Sequence, residues 1–224
     1  RGNYEDEILL TELLREFNYL SPRTSLVDVE INKVESKMLF QEKPDKAMLE
    51  FNLRKIGPLY EGDERFYFRL AKNQPDNQLS NYSLGMMPLL EKGANAMLAR
   101  QINSEWSASS KENFMVSYNS LSHLNLAYLL YTNKKKDEKN NFNYSTYTLD
   151  NNLLALNNPK NILKLDTYNL ILFATNGWHG LEVNNRKFYW NMDENFFEPV
   201  NSDTNANIDL ESNILLFPLS DKIN

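Results

Sequence analysis

A chain of 224 residues, 42% hydrophobic and 12% aromatic, has the apolar mass for one large domain or two closely packed lobes. A formal charge of −6 and a pI near 5.1 argue against a nucleic-acid partner, because polyanion binders carry a concentrated basic excess. The lack of cysteine excludes disulfides, thiolate zinc sites and a cysteine nucleophile, and no apolar run approaches the roughly 20 residues of a transmembrane segment. The one basic run, Lys134-Lys135-Lys136, is followed at once by Asp137 and Glu138 and reads as a solvated loop. The chain opens on Arg1-Gly2 without a methionine, as a processed or excised piece would.

Residues 5–18 have the pattern of a helix, with Leu10, Leu13, Leu14 and Phe17 at three- and four-residue spacings. Glu5, Asp6 and Glu7 sit at the positive end of its dipole, and Ser21-Pro22 ends it. Val27, Val29 and Ile31 alternate with Asp28 and Glu30 as in a half-buried strand; Asn32-Lys33 supplies a turn and Lys37 to Glu42 a return strand. Pro44 suits the first turn of a short helix carrying Ala47, Met48, Leu49 and Phe51, closed by Gly57-Pro58. Strands are expected at Leu59–Glu61 and Arg65–Leu70 around an acidic turn, before the polar stretch from Lys72 to Ser83 breaks all periodicity.

Beyond that stretch the helical period dominates. Met86–Ile102 is apolar at helical intervals, and Ser109 with Glu112 has the spacing of a capping box for a helix running to Leu130. Residues 132–152 read as a loop with a short strand at Tyr144–Thr148. Asn158-Pro159 is an N-cap and first-turn pair for a helix reaching Phe173, and Ile214–Leu219 is a final apolar element. The fold class is therefore α+β in two lobes: a small antiparallel sheet lobe in residues 1–71 and a mainly helical lobe in 72–224.

The densest chemistry lies between Asn176 and Asp203. Lys187–Trp190 and Phe196–Val200 are β-prone, and Met192-Asp193-Glu194-Asn195 has the composition of a hairpin connection. A hairpin returns the chain beside its start, which sets Asp203 near Asn184 and Asn185. A carboxylate and an amide oxygen there would share a hard cation such as Mg²⁺; the competing reading is ordinary asparagine-rich turn chemistry. His179 is either a proton acceptor or an imidazole bonded to loop backbone, while His123, on the long helix, reads as structural. Phe188 and Trp190 read as core, whereas Trp178 or Tyr189 could stack on a base or sugar. Glu61, Asp63 and Glu64 form either a solvated turn, a second cation site or a retaining-glycosidase carboxylate pair. No GxSxG, P-loop or GxGxxG pattern is present.

In their order along the chain, four stretches resemble the CotH kinase family, atypical protein-kinase-like enzymes named for a bacterial spore-coat protein. They are Arg1-Gly2-Asn3-Tyr4 leading to Glu7; Leu39-Phe40-Gln41-Glu42-Lys43; Gly57-Pro58 with the Glu61 to Phe66 turn; and His179-Gly180-Leu181 through Asn185-Arg186-Lys187-Phe188-Tyr189. The resemblance implies a two-lobed kinase-like fold and a phosphotransferase using ATP and Mg²⁺ or Mn²⁺ to modify Ser or Thr of a protein substrate. A cell surface, spore coat or secreted location is implied by the resemblance alone. It also implies that Asp203 and Asn184 or Asn185 bind metal, that Glu42 and Lys43 contribute to cofactor binding, and that Glu7 pairs with a nucleotide-binding lysine. That lysine would lie upstream of Arg1, and His179-Gly180 occupy the spacing at which kinase loops carry an Asp. Both departures suit the alternative, a catalytically degenerate binding or structural module of a cell or spore surface.

Overall fold

The computed structural model describes residues 4–65, 98–137 and 148–208. Residues 66–70, 86–97, 144–147 and 214–219, where elements were expected, lie outside these, as does the expected lobe boundary at 71. The described residues form an α+β fold of six helices and two small antiparallel sheets.

Helix α1 spans Tyr4–Glu16 and buries Leu10 and Leu14. It ends before Ser21-Pro22 because Asn18 adopts a left-handed conformation (φ 61°), which lets the Tyr19 amide reach back to the Leu14 carbonyl at 2.9 Å. Strands β1 (Thr24–Ile31) and β2 (Val34–Gln41) pair over their whole length. The two residues joining them, Asn32 and Lys33, both have positive φ (54° and 67°), as a tight turn matched to strand twist requires. Helix α2 (Lys46–Phe51) is capped by Asp45, whose carboxylate accepts from the Ala47 amide at 2.8 Å, so Pro44 precedes the cap instead of occupying the first turn.

The second sheet runs β4-β3-β5-β6, with β3 at Leu59–Gly62, β4 at Ala99–Gln101, β5 at Lys187–Asn191 and β6 at Phe196–Val200. The β5–β6 hairpin and its connection thus form as the sequence implies. Residues 99–101, by contrast, are strand and not the end of a helix, because β3 offers them a free edge. Strand β3 lies between β4 and β5, so a segment from the first third of the chain sits inside a sheet completed by its last quarter.

Helix α3 (Ser104–Ala108) leads to the long α4 (Lys111–Asp137). Its N-terminal donor is satisfied one residue later than the capping-box spacing suggests: Ser110 Oγ accepts from the Asn113 amide, whereas Ser109 Oγ donates to the Trp106 carbonyl. Helices α5 (Asn151–Leu154) and α6 (Pro159–Ala174) follow. Asn158 caps α6 and Pro159 opens it, as their pairing predicts. The main core gathers Tyr60, Leu124, Tyr128, Leu165, Phe188 and Phe197 between the sheet and α4 and α6. Phe197 is its hub, with the rings of Trp190 at 4.8 Å and of Tyr60 and Phe188 at 6.2 Å; truncating such a side chain to Ala costs about 3–5 kcal/mol. A second cluster joins Leu10 and Leu14 of α1 to Tyr168 and Leu172 of α6 and to Leu181, which seats the loop after α6 against α1.

Candidate functional site

Helix α6 stops because Asn176 turns left-handed (φ 53°) and the Gly177 amide reaches back to the Leu172 carbonyl at 2.7 Å. A single 3₁₀ turn, Trp178–Leu181, then carries His179 outward while Leu181 is buried. Several contacts fix the rest of the loop. Tyr128 Oη donates to the Val183 carbonyl at 2.9 Å, and burial pushes that phenol's pKa up. Arg186, 1% exposed, donates from Nη2 to Asn169 Oδ1 at 3.0 Å, and its guanidinium lies 5.1 Å from the Phe188 ring centroid. The amides of Asn185 and Arg186 both donate to the Glu182 carbonyl.

The segment after β6 returns along this loop. Asn201 donates its amide to the Leu20 carbonyl at 2.8 Å, and the Asn207 amide donates to the Thr175 carbonyl at 3.0 Å. Asp203 and Asn205 both have positive φ, at 50° and 52°. Gly180 lets the two stretches touch: a Cβ there would lie 2.8 Å from Thr204 Cγ2 and 3.1 Å from the Ser202 carbonyl oxygen.

Two of the site residues read from the sequence meet at His179. Asp203 Oδ2 lies 3.6 Å from His179 Nε2, and Asn185 Nδ2 lies 3.0 Å from the same nitrogen. Glu182 Oε2 stands 3.5 Å from Nδ1 on the other side. Asp203 first and Glu182 second raise the imidazole pKa from its ordinary 6.5 to about 10, against the desolvation that lowers it. Asn184 turns toward β3 and donates to Glu64 Oε1 at 2.7 Å and to Asn185 Oδ1 at 3.2 Å.

The other residues have different surroundings. Glu7 is 7% exposed, and its two carboxylate oxygens accept from Thr204 Oγ1 at 2.7 Å and from the Ala206 amide at 3.0 Å. Glu42 stands at the base of the β1–β2 hairpin in an ion pair with Arg23, which holds its carboxyl below the usual range, and Lys43 beside it is exposed. The acids at the end of β3 and in the turn after it each have a partner. Glu61 pairs with Arg100 and has Lys187 Nζ at 3.5 Å, Asp63 pairs with Arg65 at 2.6 Å, and Glu64 accepts from Asn184. Tyr189 is 2% exposed and donates to the Lys55 carbonyl, so it is a packing residue and not a stacking platform. His123 Nε2 lies 3.1 Å from the Leu153 carbonyl oxygen and its ring stacks on Phe197, the structural role its helix position implies.

Among the described residues, no group of three or more His, Asp or Glu side chains could hold a metal ion. At the loop, Asp203 offers a carboxylate on a side chain that is 65% exposed, whereas Asn185 presents Nδ2 to His179 and its Oδ1 accepts from Asn184. Sequence reading did not assign Glu182, Glu64 or Thr204 to the site. Glu182 had a signal, three residues after His179, whereas Glu64 and Thr204 arrive by tertiary approach alone. No protein-family model, curated protein or solved structure matches the chain.

Proposed function

We propose that the chain is a protein-kinase-like phosphotransferase of the CotH kind, using ATP with Mg²⁺ or Mn²⁺ to phosphorylate Ser or Thr of a surface or coat protein. The observation that carries this reading is the order helix, loop, hairpin, acid, with Asp203 and Asn185 brought to within 3.6 Å of one imidazole nitrogen. In this reading Asp203 would hold the metal, joined by Asn185 once its amide oxygen turns from Asn184, and the metal would supply positive charge to the nucleotide phosphates. His179, which stands between Asp203 and Glu182, is the group that would meet the substrate hydroxyl and accept its proton. Lys43, exposed beside Glu42, is the further cation available to a nucleotide.

The reading is tested by thermal denaturation of the full-length protein. Mg²⁺ with ATP at a hundredfold excess over Kd stabilises by about 2.7 kcal/mol through linkage, and Asp203→Asn abolishes the rise. A specific observation favours the second reading, a non-catalytic kinase-like module: both Glu7 oxygens are occupied by the Asp203 segment, and so are not held open for a lysine. Absence of any shift in either protein establishes that module instead.

A further inference from the structure

Helix α1 holds the segment that carries Asp203 at several points along its first two turns. Asp6 Oδ2 accepts from the Ile208 amide at 3.2 Å, Glu7 accepts from Thr204 and Ala206, and Thr11 Oγ1 accepts from Asn201 Nδ2 at 3.2 Å. Of these, Glu7 is the charged and buried one, and Thr204, immediately after Asp203, is fully buried. Hydrogen bonds from a hydroxyl and an amide to a buried carboxylate are charge-assisted and directional, so they fix Thr204 far more tightly than a neutral contact would. Asp203 is the residue directly before this anchored one. Its side chain is 65% exposed, its backbone is left-handed, and its contact with His179 is long.

We propose that Glu7 is the positioning residue for Asp203: its buried carboxylate grips Thr204 and Ala206, and so α1 sets where Asp203 stands relative to His179. Releasing the Glu7 grip then shifts Asp203 relative to His179 while Leu10 and Leu14 still seat the loop against α1. The catalytic meaning rests on the phosphotransferase reading above, but the link is tested without nucleotide.

The chain has two histidines, so ring Cε1–H resonances at a single neutral pH report both, with His123, stacked on Phe197, as the internal control for folding. Asp203→Asn is expected to displace the His179 resonance and leave His123 in place. Glu7→Ala and Thr204→Val are expected to move His179 toward its Asp203→Asn position. Glu7→Gln, which keeps an oxygen for the Thr204 hydroxyl but loses the acceptor for Ala206, is expected to fall between. His179 at its wild-type position in both Glu7→Ala and Thr204→Val, with His123 unmoved, overturns the proposal. If Glu7→Ala does not fold, Thr204→Val decides alone. A His179 resonance indifferent to Asp203→Asn sinks the link and the site together. A responsive His179 with no Mg-ATP stabilisation keeps the link and removes the phosphotransferase.

Discussion

Two constellations of charge in this molecule are built from similar parts and finished differently. Glu198 on β6 is fully buried and accepts from Arg54 at 2.7 and 3.0 Å, from Lys164 at 2.8 Å and from Asn191 at 3.0 Å. Burial resists its ionisation, yet the two cations outweigh that and hold its carboxyl below the usual range. Around His179 the carboxylates stand off at 3.5 and 3.6 Å, and half or more of the acid's surface at Asp203 is open. A saturated network has no capacity left for a ligand and serves to join the segment after α2, α6 and the sheet; a more open one can exchange its contacts for those of a ligand. Polar groups alone therefore do not mark a site.

The largest expected effect breaks the tight network. Glu198→Ala leaves Arg54 and Lys164 without their shared acid and is expected to cost about 3–5 kcal/mol in denaturant unfolding. An effect of less than about 1 kcal/mol would place Glu198 with the exposed pairs and dissolve the contrast. Tyr128→Phe comes next: it strips the Val183 carbonyl of its donor in a buried place and is expected to cost about 1–3 kcal/mol. Asp203→Asn, acting on an exposed pair, is expected to cost under about 1 kcal/mol while removing the Mg-ATP stabilisation.

The two regions also answer pH with opposite sign. Glu198 has a lowered folded-state pKa, so its stabilisation is present above the unfolded value of 4.5 and is lost as pH falls through the folded one. His179 has a raised folded-state pKa, so its contribution is complete below 6.5 and is lost as pH rises through about 10. Melting temperature is therefore expected to decline gently on the alkaline side. In Asp203→Asn, which removes the largest cause of the shift, that decline should shrink while the acid limb stays. An alkaline limb unchanged in this variant would assign it to other groups.

What could be read from the sequence was whatever a single segment decides. Asn158-Pro159 fixes the start of α6 because cap and first turn are local choices, and β6 keeps its Phe196–Val200 bounds because a polar turn precedes it. The strand at Ala99–Gln101 was not legible, since three residues are too few to interrupt a helical period and only the edge of β3 makes them a strand. The meeting of Asp203 with the loop was legible because a hairpin brings its two ends together. The partners that finish the site were not, because Glu7 and Thr204 lie on segments far apart in sequence, and burial, which no local pattern records, selects them for each other.

Strand β3 at residues 59–62 hydrogen-bonds to β5 at 187–191, and this pairing has a consequence in time. During synthesis β3 is made long before its neighbour, so the sheet closes only after the β5–β6 hairpin has emerged. Closing so large a loop is entropically slow compared with forming α4 or the hairpin, which need only nearby residues. Folding is thus expected to wait on the docking of β3 against a preformed hairpin. Until that step the chain carries an unpaired strand edge, so a nascent chain halted before residue 187 is the form most exposed to edge-to-edge association.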